Sequence, residues 1–369
     1  MKSGKALFVI DTPSQVFNVT EALRAYPIVS YDVMICDCCR ADAYMQLKRL
    51  LVSLNPKHRI DVEKVSGPIE DRIGIYAKHV SWLKAQDYQW VFFSNIRQQW
   101  QRDVVCSLPQ SQPVLMDDGN ATLVFYRYLF TRRKFFDFPP DLDEARAEKA
   151  HATRLKYGVA VDEPAGLELF TIFQLNALPW LTVRANPMSA LCRTHGSVDQ
   201  DLVLFLGIGA VELGYATSAQ YIEYLQQVAH MYQGKRIIYQ PHRISSPELI
   251  EQIGQHTEFE LMRLHEPVED WLYRHPSPPA QVVSFFSMAL STISVCFPSI
   301  RVTSIDAGPQ AWMGAKQSHV WNLTCCNNLD IIHTIMDYLK VDPAVSVLPL
   351  IGTNLEPQEL LSPPALAGE

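Results

Sequence analysis

The residues best suited to proton transfer are two adjacent carboxylates, Asp117 and Asp118, in the stretch PVLMDDGNATL. They follow a short apolar run typical of a buried strand, and Gly119 comes directly after them. Paired carboxylates at this place suit proton abstraction from a substrate or the binding of a metal ion. An Asp-Asp-Gly sequence is also a common turn, so the motif alone does not decide between these interpretations.

A second group of candidate residues lies in the C-terminal half and suits an anionic ligand. Gly207 and Gly209 follow the apolar run VLFL and permit a close approach of the backbone. His242 follows RIIYQP, and Ser284 and Ser287 lie in VVSFFSMAL. Together these residues would form a pocket for a phosphate that leaves with negative charge. Taken singly, the histidine is as readily structural and the serines are as readily helix caps.

Alternating strand and helix patterns place both groups at the ends of predicted strands. In the N-terminal half this alternation predicts a parallel sheet with helices on its faces. The predicted strands are residues 6–10, 33–36, 59–65, 90–93 and 113–116, and the clearest predicted helices are residues 41–54 and 70–85. Ligands of such sheets bind beyond the carboxyl ends of the strands, where the candidate residues lie.

The same alternation returns at Asp201, in DLVLFLGIG, KRIIYQPH, QVVSFFS and IRVTSIDAG. About residues 126–190, including LELFTIFQLNALPWL, the pattern is helical and irregular. The predicted fold class is therefore α/β, with two Rossmann-like domains whose parallel sheets face a central cleft. We expect an N-terminal domain at residues 1–195, a C-terminal domain at residues 196–350 and a proline-rich tail at residues 351–369.

The composition of the chain excludes several classes of protein. A net charge of −7 argues against a general nucleic-acid binder. The eight cysteines lack the spacing of a disulfide framework, and reduced thiols fit better than a metal or redox site at Cys36-x-Cys38-Cys39. No apolar run approaches the roughly twenty residues of a membrane span, and the N-terminus lacks a secretory signal. We therefore expect a cytoplasmic protein.

The first strand-to-helix turn, at residues 11–14, contains no glycine. A domain that holds nucleotide phosphates usually has a glycine-rich loop at this turn. Thr12, Pro13 and Gln15 instead predict a helix start closed by a Thr-x-x-Gln capping box. The turn leaves open what this half of the protein holds.

The order and spacing of the motifs resemble those of the bacterial sialyltransferases of GT-B architecture. The shared features are Asp-Asp-Gly, a glycine turn after the first strand of the second half, Pro-His after the next strand, PVEDWL and SFFSMAL. The nearest likeness is to lipooligosaccharide sialyltransferases and capsular polysialyltransferases, whose first turn is similar to TPSQVFNVTEAL. The resemblance covers about residues 6–307 and is weakest between residues 126 and 199.

The resemblance implies roles for the candidate residues. Asp117 would deprotonate the acceptor hydroxyl with support from Asp118, and His242 would contact the departing CMP phosphate. Glu269 in PVEDWL would bind the cytidine ribose, and Ser287 would hold the phosphate together with Ser284. The other residues implied on the donor side are Gly207, Gly209 and Gln240.

The resemblance also assigns the glycine-free turn to the acceptor side of the cleft. Gln15 and Asn18 would line that side, or would serve as a cap and as helix surface. The implied activity is an inverting, metal-independent transfer of a sialic or related nonulosonic acid, without a cofactor, from a CMP-sugar to a cell-surface glycan or glycolipid. His242 is followed by Arg243 rather than proline, and Met288 replaces a serine. Transfer of Kdo or another nucleotide sugar, and a non-catalytic nucleotide-binding scaffold, remain alternatives.

Two segments carry further alternatives. Asp141-x-Asp143 allows a metal-dependent transferase, although capping of a helix start explains these acids better. The segment VFYRYLFTRRKFFDFPP interleaves aromatic and basic residues, so it either rests on the anionic surface of the inner membrane or packs its aromatic side chains inside. The oligomeric state is left open, a homodimer included.

Overall fold

The N-terminal part of the chain forms a seven-stranded parallel sheet. The computed structural model describes residues 3–36, 41–63, 67–136, 143–317 and 323–350. The strands are β1 (Gly4–Ile10), β2 (Ile28–Cys36), β3 (His58–Val62), β4 (Trp90–Phe93), β5 (Gln112–Met116), β6 (Leu167–Thr171) and β7 (Leu181–Ala185). Their spatial order is β3-β2-β1-β4-β5-β6-β7, and all neighbours pair in parallel.

Helices cover both faces of this sheet. They are α1 (Gln15–Ala25), α2 (Ala41–Leu51), α3 (Ile69–Ala77), α4 (Val80–Lys84), α5 (Gln99–Cys106), α6 (Ala121–Tyr128) and α7 (Glu144–Tyr157), with a 3₁₀ turn at Phe130–Arg132. In β1, Leu7 packs into the core on one face and Phe8 into the core on the other, and both are fully buried. Burial on both faces explains why the strand is an unbroken apolar run.

The C-terminal part forms a six-stranded sheet. Its strands are β8 (Asp199–Leu206), β9 (Arg236–Gln240), β10 (Glu260–Leu261), β11 (Pro279–Ser284), β12 (Arg301–Asp306) and β13 (Val345–Pro349), in the order β10-β9-β8-β11-β12-β13 and all parallel. Its helices are α8 (Ser218–Met231), α9 (Pro247–His256), α10 (Val268–Arg274), α11 (Ala289–Cys296) and α12 (Asn328–Val341), with a 3₁₀ segment at Pro309–Lys316. Two parallel-sheet α/β domains confirm the predicted GT-B fold class.

The segment at residues 126–190 is not helical throughout, which corrects the prediction. The stretch LELFT is strand β6, and LTVRA is strand β7 at the edge of the sheet. A buried apolar run of about five residues fits a strand or a helix equally well, so its pattern alone could not decide. The predicted helical part is present as α7, which begins after its cap Asp143 and ends at the left-handed Gly158.

The helix after β1 begins later than the sequence predicts. Its first residue is Gln15, and Thr12 makes no capping bond; the Thr12 hydroxyl lies 3.3 Å from that of Ser14. The Gln15 Oε1 atom accepts the backbone N–H groups of Asp11 (2.8 Å) and Thr12 (3.2 Å). A buried amide side chain, rather than glycine, therefore holds the shape of this turn.

The basic and aromatic segment that begins at Val124 packs its aromatic side chains inside. Phe125, Phe130 and Phe135 are fully buried. Arg127 pairs with Asp337 of α12 at 2.8 Å, which links the two domains. Residues 137–140 lie outside the described part of the chain. Among the residues that the structure describes, no helix has the length and apolar character needed to cross a bilayer.

Candidate functional site

A cleft of about 1060 Å³ lies between the two domains. Its N-terminal wall comes from the turns after β1 and β4 and from α2, and its C-terminal wall comes from the loops after β9 and β10. The carboxyl ends of both sheets therefore meet at this cleft, where parallel α/β sheets bind their ligands. The volume is that of a site for a small organic molecule.

The charged side chains that line the cleft are mainly basic. The cationic and imidazole groups are Arg49, Arg97, His242, Arg243, Arg263 and His265. The acidic groups are Asp11 and Glu266, and Glu266 already pairs with Arg274 outside the cleft. An excess of guanidinium groups from both domains favours an anionic ligand that spans the two walls.

Asp11 on the N-terminal wall is joined through one glutamine to Asp118, which is not itself among the residues that line the cleft. Gln15 Nε2 donates to Asp11 Oδ1 at 3.1 Å and to Asp118 Oδ1 at 3.2 Å. Asp11 directly follows β1 and Asp118 follows β5, so the amide bridges the ends of two strands that β4 separates in the sheet. Gln15 is itself 1% exposed and positions these carboxylates from behind the cleft wall.

Asp11 lines the cleft and is an unusual carboxylate. Gln101 Nε2 donates to its Oδ2 at 3.1 Å, while Gln101 Oε1 accepts the N–H groups of Ser94 and Asn95. Burial, and next the charge of Asp118, raise the pKa of Asp11 to about 7 from an ordinary value of 3.8. Its bonds to the two glutamines and the charge of Arg97 oppose that rise. Asp11 therefore changes its charge near neutral pH.

Asp118 is the carboxylate that faces the opposite domain. Its Oδ2 lies 3.6 Å from Arg97 Nη2, and its side chain keeps 13% of its surface exposed. Burial raises the pKa of Asp118, and the positive charges of Arg97 and of Arg243 across the cleft oppose that rise. A partly exposed carboxylate at the meeting point of two domains can accept a proton from a bound molecule.

Asp117 is placed differently from Asp118. Its Oδ1 accepts the Thr171 hydroxyl at 2.6 Å, and its Oδ2 accepts the Ile172 N–H at 2.8 Å. Burial raises the pKa of Asp117 to about 6. Both oxygens therefore bind protein groups at the end of β6, and Asp117, like Asp118, is not among the residues that line the cleft. The geometry therefore favours a structural part for Asp117, where the sequence suggested the base.

The other predicted acceptor-side residue, Asn18, also supports the turn. Asn18 Nδ2 donates to the backbone oxygen of Asp117 at 3.0 Å, and its Oδ1 accepts Asn186 Nδ2 at 2.9 Å. Neither Gln15 nor Asn18 lines the cleft. Both are buried supports, and neither is the exposed helix surface that the sequence left open for Asn18.

The loop after β9 brings His242 into the cleft as predicted from its place after a strand. His242 Nδ1 accepts the Ile244 N–H at 3.4 Å, which favours the tautomer with the proton on Nε2. Gln240 also lines the cleft, and its Oε1 accepts the Leu264 N–H at 2.8 Å. Gln240 thereby ties the loop after β9 to the loop after β10.

The two predicted glycines make room for protein groups. A Cβ atom at Gly207 would lie 2.4 Å from Tyr239 Oη, and one at Gly209 would lie 2.6 Å from Ile244 Cδ1. At either distance a neighbouring side chain would have to shift to make room for a Cβ atom. The glycines thus leave space for Tyr239 and for the His242 loop, and their approach to a phosphate stays a prediction.

The predicted serines and glutamate do not join this site. Ser284 is fully buried and donates to the Leu206 oxygen at 2.7 Å, which fastens β11 to β8. Ser287 accepts the Ala289 N–H at 3.4 Å near the start of α11. Glu269 lies in the first turn of α10, where burial raises its pKa. None of the three is among the residues that line the cleft, and their contacts with phosphate and ribose stay predictions.

The sequence reasoning missed Asp11, Arg97 and Gln101. Asp11 ends an apolar run in the sequence, and a charged residue at the end of a buried strand was the available signal. The structure adds no support for the alternative metal sites. Asp143 caps α7 by accepting the Arg146 N–H at 2.8 Å, and Asp141, Cys38 and Cys39 lie outside the described residues. Within the described ranges, no group of three His, Cys, Asp or Glu side chains is arranged to hold a metal ion.

Comparisons with known proteins give distant matches. No protein-family model and no curated protein matches this chain. MurG of Acinetobacter baumannii is 9% identical over 94% of this chain and 86% of that chain, with a TM-score of 0.44. The UDP-GlcNAc 2-epimerase of Neisseria meningitidis, bound to UDP-GlcNAc, is 11% identical over 91% and 92%, with a TM-score of 0.43. The ADP-heptose heptosyltransferase II of E. coli is 12% identical over 92% and 98%, with a TM-score of 0.39.

These comparisons overturn the resemblance to bacterial sialyltransferases. Where the names of the leading matches state a nucleotide or nucleotide sugar, it is UDP, UDP-N-acetylglucosamine or ADP-heptose, and none is a sialyltransferase or another CMP-sugar enzyme. The motifs behind the resemblance are short and stand at strand ends, which any two-domain protein of this type possesses. Similarities of this size carry no argument about the donor or reaction of this chain, which must come from its own cleft.

Proposed function

We propose that the protein is a glycosyltransferase that moves a sugar from a nucleoside diphosphate donor to an acceptor hydroxyl. The observation that carries the proposal is the arrangement of charge at the cleft: Asp11 on the N-terminal wall is bridged through Gln15 to the partly exposed Asp118, and His242, Arg243 and Arg263 lie on the C-terminal wall. Transfer of a sugar from an activated donor needs a base beside the acceptor hydroxyl and positive charge beside the leaving phosphate.

The proposed donor site is the C-terminal wall. Arg243 and Arg263 follow neighbouring strands, and His242 lines the cleft from the same loop as Arg243. Guanidinium groups bind phosphate oxygens through two parallel hydrogen bonds, and two such groups with an imidazole match a diphosphate better than a monophosphate. Arg97, from the opposite wall, adds positive charge where the two domains meet.

The proposed base is Asp118, because it is the partly exposed member of the carboxylates and lies opposite Arg243. The acceptor oxygen would attack the anomeric carbon while Asp118 takes its proton, and the anomeric C–O bond would break with its electron pair leaving on the phosphate. A single displacement of this kind inverts the anomeric centre. A positioned base contributes about 10²–10⁴-fold to the rate.

The test is the release of nucleotide from a panel of UDP-, ADP-, GDP- and CMP-sugars by the purified protein, with and without glycan acceptors. We expect release from a nucleoside diphosphate sugar and a loss of about 10²–10⁴-fold in Asp118→Asn. Asp61→Asn, a partly exposed position on β3, is the matched control and should keep its rate. Release from the CMP-sugar alone would overturn the donor class, and full activity of Asp118→Asn would overturn the base.

A further inference from the structure

Asp11 and Asp118 are the two members of what we call the carboxyl pair. They share one hydrogen-bond donor, since Gln15 Nε2 lies 3.1 Å from Asp11 Oδ1 and 3.2 Å from Asp118 Oδ1. Gln15 cannot turn its amide around, because its Oε1 already accepts the backbone N–H groups of Asp11 and Thr12. The fold therefore fixes two carboxylates on either side of one NH₂ group.

The groups around Asp11 differ in charge from those around Asp118. Asp11 is 2% exposed and receives amide hydrogen bonds from Gln15 and Gln101, with Arg97 as the positive charge that acts on it. Asp118 has Arg97 at 3.6 Å and Arg243 across the cleft. Since positive charge is concentrated at Asp118, Asp118 loses its proton first and its negative charge then opposes the ionisation of Asp11.

We infer that Asp11 is a positioning residue for the base: the carboxyl pair holds a single proton on Asp11 while Asp118 is ionised, and loss of that proton strengthens Asp118 as a base. The catalytic part of this inference rests on the proposed function. During transfer Asp118 gains the proton of the acceptor hydroxyl, so the pair gains one proton while the leaving phosphate takes the electron pair of the broken C–O bond. A negative charge on Asp11 makes this protonation of Asp118 more favourable.

The inference predicts a particular pH dependence. Burial and Asp118 together raise the pKa of Asp11 to about 7, so the reaction should accelerate as pH rises through neutrality. Asp11→Asn should lose this acceleration, with a rate about threefold to tenfold below wild type at pH 8.5 and close to wild type at pH 5.5. If Asp11 served only to hold the turn, Asp11→Asn would lower the rate equally at all pH values.

The test that does not depend on turnover is a ¹³C NMR titration of the ligand-free protein labelled at the aspartate carboxyl carbons. The resonance lost in Asp11→Asn identifies Asp11. We expect it to titrate near pH 7, and to titrate at least about one pH unit lower in Asp118→Asn, where the opposing charge is gone. Asp61→Asn should leave it unchanged. An Asp11 carboxyl that titrates near pH 4, or that ignores Asp118→Asn, would overturn the inference.

The two readouts separate the inference from the proposed function. A coupled titration together with the predicted change in the pH–rate profile supports both parts. A coupled titration with an unchanged profile in Asp11→Asn overturns the positioning role. If no nucleotide sugar is turned over, the proposed function fails and the positioning role fails with it, while the titration still decides whether the pair shares one proton.

Discussion

The substitution Asp11→Asn should remove a large pH dependence from the stability of the protein. The folded protein raises the pKa of Asp11 from 3.8 to about 7, a change of about three units. Each unit corresponds to about 1.4 kcal/mol of difference between protonation states, so ionising Asp11 costs the folded state at most about 4 kcal/mol. The residue is almost fully buried, so solvent screening does not reduce this figure much.

The direction of this pH dependence follows because the folded state binds the Asp11 proton more tightly than the unfolded state does. Because the folded pKa of Asp11 is raised, its stabilising proton is fully present below about pH 3.8 and is lost as pH rises through about 7. Asp117, whose pKa is raised to about 6, acts in the same direction. The difference between wild type and Asp11→Asn isolates the share of Asp11, because Asp117 is present in both proteins.

Urea denaturation at fixed temperature between pH 4 and pH 8.5 measures this difference. Asp11→Asn places an NH₂ group opposite a glutamine donor, which gives a constant offset in the free energy of unfolding. Relative to that offset, wild type should lose several kcal/mol more than the variant by pH 8.5. Asp61→Asn, partly exposed on the same sheet, should follow wild type. Parallel curves for wild type and Asp11→Asn would refute the reasoning.

Three further predictions concern the supports of the cleft. Gly209→Ala should weaken nucleotide binding and lower the melting temperature, measured by thermal shift with and without UDP, because its Cβ would lie 2.6 Å from Ile244 in the His242 loop. Ser284→Ala should lower the free energy of unfolding by about 1–3 kcal/mol in urea, because a buried hydrogen bond is lost, while UDP affinity by calorimetry stays unchanged. Nucleotide release should survive EDTA, because the cations proposed to meet the phosphates are guanidinium groups; loss of release that Mn²⁺ restores would count against this.

The fold could be predicted because its strands are buried on both faces. Runs such as residues 6–10 and 90–93 lie between turn residues and alternate with helix patterns, and that alternation favours a parallel sheet. The same logic places His242, Gln240 and Asp118 at strand ends. Strand β6 could not be predicted, since its five residues fit either a helix or a strand. For the same reason the sequence could not show that Thr171 and Ile172 donate hydrogen bonds to the Asp117 carboxylate.

The remaining errors arise from side-chain direction and from long-range contact. Ser284 is the last residue of β11, and its hydroxyl donates to the Leu206 oxygen of the neighbouring strand β8. The role of Asp11 depends on Gln101, which is 90 residues away in the chain, and on burial that the sequence does not display. Short motifs report that a polar residue ends a strand. They do not report which neighbour its oxygens meet.

The most direct test of the central claim is calorimetric titration of UDP, ADP, GDP and CMP into wild type, Arg243→Gln and the control Arg236→Gln. Arg236 is an exposed arginine of the same domain, outside the cleft, and pairs with Glu260. We expect a nucleoside diphosphate to bind more tightly than CMP, and about tenfold or more weaker binding in Arg243→Gln alone, because a charged hydrogen bond to phosphate is worth about 1.5–3 kcal/mol. Equal affinity for all four nucleotides, or an unchanged affinity in Arg243→Gln, would contradict a nucleoside diphosphate site in this cleft.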